Sequence, residues 1–384
     1  MADEFFVGGG LSELAGDGPS HRSDWYRWAE RGGLDTTALA EPASIDSFGH
    51  DLSLLAEHDV RQLRITIDWA RLEPRSGIID DEEVERLLER FTLIADRGLH
   101  AWVTLHHTTL PGWFADDTDG FLRPSGPSLH WSRHVDRVAE LLDGLVAGWI
   151  PNEDPLGWAL RSHHLGTRPG RPGTQNLQDA AEGVLEATFE ACRLLSSGSS
   201  PVIASFGIPA IRATTDDASA DHVCHWTDIL WTSWTEAIRD GVLRWPWRGP
   251  RERPDLADTF DAIGLALAPT LAVDPDGTIT ERQPPAGEHF GHVLRRGAEL
   301  LPGRELIVTS LGTTTSDAQQ QDDLFGGWLD QIHEARTDGI GVRGAFVEPL
   351  FDGPSPDASG DSVPGIFSAG RDPRPAARWL QAAS

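Results

Sequence analysis

Short stretches of apolar and β-branched residues alternate with longer stretches in which apolar residues recur every three to four positions, and this rhythm runs through the whole chain. Residues 5–11, 62–68, 101–107, 148–153, 202–207, 262–268, 305–310 and 344–349 read as strands. Between them, residues 47–58, 82–97, 128–146, 177–196, 221–239, 288–300 and 322–337 have the spacing of amphipathic helices. Eight strands alternating with helices predict an α/β fold, a (β/α)8 TIM barrel, and the 384 residues fit a single domain spanning 1–384. A doubly wound dinucleotide-binding sheet fits less well, because Gly8–Gly10 lacks the glycine spacing and the following helix of its fingerprint. The Pro- and Gly-rich stretches 165–173, 245–254 and 352–364 fall after strand ends or between helix and strand, where barrel loops lie.

Composition narrows the chemistry. The 32 basic residues are all arginine, since the chain has no lysine; 60 acidic residues set the net charge at −28. Without lysine there is no Schiff-base chemistry and no P-loop lysine. The strong negative charge disfavours nucleic acid and anionic membrane surfaces as partners. The start, MADEFF, lacks the features of a signal peptide and no apolar run reaches about 20 residues, so a cytoplasmic protein is expected. Cys192 and Cys224 read as small apolar residues of a reducing compartment. The run Asp80–Glu83 opens a predicted helix, where negative charge is favourable without any further role.

Active sites of such barrels lie at the C-terminal ends of the strands. That rule selects Arg64 and Asp68, His106 and His107, Asn152 and Glu153, Ser310, and Glu348 with Asp352. Asn152-Glu153 stands out because the chain has only two asparagines and a carboxyl group in a desolvated barrel mouth rises in pKa toward general-acid use. The bland reading makes Glu153 a solvated loop residue paired with arginine. The histidines at 106, 107, 163 and 164 do not predict a metal, since neighbours on a strand point to opposite faces. No cofactor is expected. Trp226, Trp231 and Trp234, with Trp245 and Trp247, read as helix core more readily than as a platform for a sugar.

Several short motifs occur in order. Phe6-Val7-Gly8 resembles FxWG, and Ser23-Asp24-Trp25-Tyr26-Arg27-Trp28 resembles DWYxW. The stretch from Leu63-Arg64 to Glu73-Pro74 is close to YRFSIxWxRIxP; Thr104-Leu105-His106-His107 to Leu110-Pro111 resembles TLYHWDLP; Asn152-Glu153-Asp154 resembles NEP. The end, from Gly365-Ile366-Phe367 to Arg378-Trp379, is similar to the family's closing strand and helix. Through these motifs the chain resembles the family 1 β-glycosidases, the β-glucosidase and β-galactosidase barrels, over almost its whole length. The resemblance implies a carbohydrate or glycoside as the small-molecule ligand, Glu153 as acid/base, and Arg64, His107 and Asn152 as ligand-binding residues.

The resemblance also breaks. Where the family carries the nucleophile glutamate of ITENG, this chain reads Ile307-Val308-Thr309-Ser310-Leu311-Gly312, which puts Ser310 at the nucleophile position. A serine hydroxyl does not replace an ionised carboxylate at an oxocarbenium-like centre, so the double displacement of a retaining enzyme is not expected. The family's first-loop glutamine aligns with Ala15, its strand-six Asn-Tyr with Ala266-Leu267, and its Glu-Trp after strand eight with Ser355-Pro356. The strand-eight tryptophan is replaced by Glu348. Glu153 and Glu348, on opposite strands, are an acid/base pair with room for a water if separated by the ~6.5–9.5 Å of inverting enzymes; alternatively, Glu348 is the ion-pair partner of Arg64. Three readings follow: a remodelled glycosidase-related enzyme with a non-retaining mechanism, a non-catalytic binding or scaffold protein, or a conventional β-glucosidase in which another carboxylate takes the place of Ser310.

Overall fold

Runs such as Gln62–Thr66 and Ala262–Ala266 are buried at nearly every position, as strands covered on both faces are, and in the computed structural model they form the staves of a parallel barrel. Residues 5–11, 18–33, 44–215, 220–256, 258–354 and 362–381 are described. The staves are β1 (Phe6–Leu11), β2 (Gln62–Thr66), β3 (His100–His106), β4 (Gly148–Asn152), β5 (Ile203–Gly207), β6 (Ala262–Ala266), β7 (Leu306–Leu311) and β8 (Val342–Val347). They are ordered β4-β3-β2-β1-β8-β7-β6-β5, and a single parallel bridge between Trp149 and Val202 joins the two ends. At that seam the Trp149 N–H donates to the Pro201 carbonyl at 2.8 Å.

The outer layer contains α1 (Ile45–Glu57), α2 (Asp81–Asp96), α3 (Ser132–Leu141), α4 (Thr174–Leu195), α5 (Ser233–Asp240), α6 (Glu288–Leu300) and α7 (Ala318–Thr337). Asp80 caps α2 by accepting from the Glu82 and Glu83 amides, and Asp81, Glu82 and Glu83 occupy its first turn. The helix expected over 128–146 is shorter. A wide turn at Gly126–Trp131 contains Pro127, and Gly144, at φ +73, lies in the break after Leu141. The helix expected over 221–239 is interrupted by another wide turn at Asp228–Thr232.

Trp102, Ile150, Ile203, Ala262, Ile307 and Phe346 form one cluster inside the barrel, beneath the strand ends that carry the polar residues. The larger core lies between strands and helices; Trp231 and Trp234 are buried in it, with Trp226 and Trp245 nearly so and half-buried Trp247 packed against it. Gly10 on β1 leaves room at the centre: a Cβ there would sit 3.1 Å from the Glu348 Cβ and 3.2 Å from an Arg64 guanidinium nitrogen. A small sheet of Ile211–Ala213, Thr270–Val273 and Ile279–Arg282 follows β5 and β6 and carries Glu281 and Arg282 to the barrel mouth. Cys192 is buried and Cys224 exposed, and both are free thiols.

Candidate active site

The C-terminal ends of the strands open into a cavity of about 550 Å³, within the size range of small-ligand sites. Its wall includes His107, Glu153, Ser310 and Glu348, four of the nine residues that the strand-end rule selects from sequence. Arg64 lies fully buried directly behind the wall. Its guanidinium spans the two carboxyl groups: one terminal nitrogen donates to Glu348 Oε2, the other lies 3.9 Å from Glu153 Oε2 and 3.5 Å from Thr104 Oγ1. Glu348 is therefore engaged by Arg64, the arrangement of the ion-pair reading.

Asn152 departs from expectation. Strict alternation from inward-facing Ile150 would aim Asn152 inward as well, but β4 ends at Asn152 and Asp154 takes a left-handed conformation at φ +46. The chain turns so that Glu153 lines the cavity, while the Asn152 amide lies between β4 and α4. There it meets His106 Nδ1 at 2.9 Å and donates to Thr188 Oγ1 at 2.9 Å. Asn152 is thus not a wall residue, and its hydrogen bonds fix the strand end. His106 follows it outward against Phe121, Trp131 and Trp158.

Asp154 secures this turn. Its carboxylate accepts from the Gly157 amide at 3.0 Å and from Arg161 at 3.0 Å, filling space that a side chain at Gly157 or Gly207 would occupy. Arg161 donates in turn to Glu281 at 2.8 Å, tying the small sheet to the end of β4.

Glu153 is 1% exposed, and neither carboxyl oxygen receives a hydrogen bond of ordinary geometry from a described residue. Burial pushes its pKa up to about 6. The Arg64 charge opposes that rise, as do the Thr309 and Ser205 hydroxyls, which bond to each other at 2.8 Å; the negative charge of Glu348 adds to it. His107 is held well below the usual histidine range by burial and by the nearby charges of Arg64 and Arg168, and burial takes His106 down to about 3. Both imidazoles are neutral near pH 7, leaving Glu153 as the group of this set that exchanges a proton near neutrality.

The sequence reading missed Arg161, Arg168, Arg282, Gln283, Thr313 and Thr314, all in the cavity wall. Arg168 lies in the Pro- and Gly-rich loop after strand four, so the strand-end rule extended to loops would have found it; the small sheet bearing Arg282 left no barrel-like signal. Ala266 and Leu267 line the cavity, whereas Ala15, Ser355 and Pro356 lie outside the described residues. Among the described residues, no group of three or more His, Cys, Asp or Glu is placed to hold a metal ion, and no helix is long and apolar enough to cross a membrane.

A TIM barrel with an Asn-Glu pair at the end of its fourth strand, the glutamate buried in the mouth, has the architecture of the β-glycosidase barrels. Residues 8–198 match the model of glycosyl hydrolase family 1, and the chain is a divergent relative of that family. It is similar to a β-glycosidase from Pyrococcus horikoshii (22% identity, TM-score 0.82, covering 100% of this chain and 94% of that one). It is also similar to a β-glucosidase from Thermotoga maritima in complex with deoxynojirimycin (16% identity, TM-score 0.83, covering 100% and 98%). Among curated proteins, it is 24% identical to β-glucosidase 22 of Oryza sativa subsp. japonica over 174 residues, 43% of this chain and 32% of the relative. It is 22% identical to β-glucosidase 1B of Phanerodontia chrysosporium over 169 residues, 42% of this chain and 31% of the relative. The match thus spans about a third of these curated relatives.

Proposed function

We propose that this protein hydrolyses a glycoside of a sugar or small cyclic ligand by a non-retaining mechanism. Glu153 is the proton donor and Glu348 the ionised partner. The observation that carries the reading is the Glu153 carboxyl: buried, with no hydrogen bond of ordinary geometry to either oxygen from a described residue, facing the cavity, and raised to about 6. A carboxyl in that state is poised to protonate a leaving-group oxygen. Ser310 offers no carboxylate for a covalent glycosyl intermediate, so water is the attacking group; its proton passes to Glu348 as the Glu153 proton passes to the leaving group. The Thermotoga maritima neighbour's complex with deoxynojirimycin supports a carbohydrate-type ligand.

The test uses aryl β-glycosides with a good leaving group, with and without azide, and follows the anomer first formed by NMR. Inversion with no azide-dependent glycosyl product is the expected result; net retention overturns the mechanism. A second reading, a binding protein without turnover, draws on the engagement of Glu348 by Arg64. Glu348→Gln separates the two. Loss of this carboxylate is expected to lower turnover by about 10²-fold or more. It also removes a like charge beside Glu153, so the Glu153 titration moves below 6. Unchanged turnover in this variant would assign Glu348 to holding Arg64 alone.

A further inference from the structure

We infer that the buried hydroxyls of Ser205 and Thr309 are a positioning pair for Glu153. They turn a hydroxyl proton toward its carboxylate once Glu153 has given up its own, and away again when the carboxyl is protonated. The inference rests on the reading of Glu153 as proton donor and adds the device that holds it between turnovers.

Two positions beyond Ile203, Ala262 and Ile307 of the cluster inside the barrel, β5, β6 and β7 present Ser205, Gly264 and Thr309. Ser205 and Thr309 are fully buried, and their hydroxyl oxygens lie 2.8 Å apart across β6. The glycine lets them meet: a Cβ at Gly264 would lie 2.7 Å from Ser205 Cβ and 2.8 Å from Thr309 Cγ2. The ladder between β6 and β7 is irregular from Val308 to Ser310. Thr309 therefore reaches inward to the pair while Ser310, the next residue, still lines the cavity.

The pair carries two hydroxyl protons, and the bond between the oxygens uses one of them. Among the described residues neither hydroxyl has an ordinary hydrogen bond to any other group, so the second proton is unspent. Beside them lies the Glu153 carboxyl, which lacks a hydrogen bond of ordinary geometry and whose ionised form both hydroxyls favour. A hydroxyl rotates about its C–O bond, and an ionised carboxylate only accepts; the second proton therefore turns to Glu153 when the donor is spent. When Glu153 is protonated its own O–H donates to the pair, and the directions reverse. No proton leaves either hydroxyl. A buried carboxylate with this donor costs less than one without it, so the pair holds the ionised form where it can be protonated again.

The other charged or titratable groups that share the cavity or lie directly behind it are Arg64, His107, Glu348, Arg168, Arg282, and Arg161 with its partners Asp154 and Glu281. Substituting the hydroxyl pair leaves all of them in place. The experiment titrates the Glu153 side-chain carboxyl carbon by NMR in the full chain carrying carbon-13 glutamate, with the signal assigned by its loss in Glu153→Gln. Thr309→Val, which keeps the shape and removes the hydroxyl, is expected to raise the titration by about one pH unit, the worth of a hydrogen bond to a charged group. Ser205→Ala is expected to raise it by a smaller step, since the Thr309 hydroxyl loses the donor behind it, and Thr309→Ser to titrate as the wild type does. Circular dichroism checks each fold; Ser205→Ala, the smaller change, carries the test if Thr309→Val fails to fold. In turnover of aryl β-glycosides the alkaline limb of kcat/KM should move with the titration, whereas a purely structural loss lowers activity at every pH without moving the limb. A titration unchanged in the folded variants overturns the inference and leaves the proton-donor reading standing. A titration that moves as expected in a chain with no turnover at any pH upholds the pair and overturns the proposed hydrolysis.

Discussion

Glu153→Gln is expected to lower turnover of glycosides with poor leaving groups by about 10²–10⁴-fold and, at the same time, to stabilise the folded protein at alkaline pH. Both effects come from one property. The carboxyl titrates near 6 in the fold and near 4.5 when unfolded, so the folded state binds the proton more tightly. Below about pH 4.5 both states are protonated and burial costs nothing extra. As pH rises through 6 the folded state must hold a buried carboxylate, and a difference from 4.5 to about 6 costs about 2 kcal/mol of stability, fully expressed above the folded value. Glutamine is never charged. Urea titrations should therefore find wild type and variant alike at pH 4 and the variant more stable by about 2 kcal/mol at pH 8. Activity of the wild type should fall above pH 6 as the proton donor is lost. Equal stability at both pH values would show that the carboxyl is not desolvated.

The largest loss of stability is expected from Glu73→Ala. Glu73 is fully buried, and its carboxylate accepts from Trp69 Nε1 at 3.0 Å, the Gly77 amide at 2.6 Å and Arg133 at 2.9 Å, with Arg137 at 3.6 Å. Its backbone carbonyl receives Trp113 Nε1 at 2.8 Å. Removing the carboxylate leaves two arginines without their shared anion and a buried indole N–H without an acceptor, at a cost of about 3–5 kcal/mol. In urea unfolding the midpoint should fall with an unchanged m-value. A loss below about 1 kcal/mol would mean that water or rearranged side chains replace the carboxylate completely.

The barrel was legible because parallel strands covered on both faces read as short apolar runs, and because glycine and proline mark the loops between them. Glu153 was legible for the same reason: it follows the apolar Trp149-Ile150 at a strand end. Asn152 was not, because its amide is held by His106 on β3 and Thr188 on α4, partners that no periodicity within 148–153 reveals. Glu348 was placed at the mouth correctly, but whether a carboxylate there faces a ligand or an arginine depends on a neighbour 284 positions away in the chain. Arg168 and Arg282 escaped notice because a loop and an added sheet bring them in, and neither follows the periodicity of the barrel.

The closure of the ring has a consequence in time. Among the described residues, every other neighbouring pair of staves shares a ladder, whereas β4 and β5 meet through the single bridge at Trp149 and Val202. The ring is a clasped hoop, and the clasp sits on the stave that ends at Asn152, next to Glu153. Hydrogen exchange should find the Trp149 amide opening sooner than the β3 and β4 amides that face each other. The seam is thus the place where the hoop is expected to unfasten first.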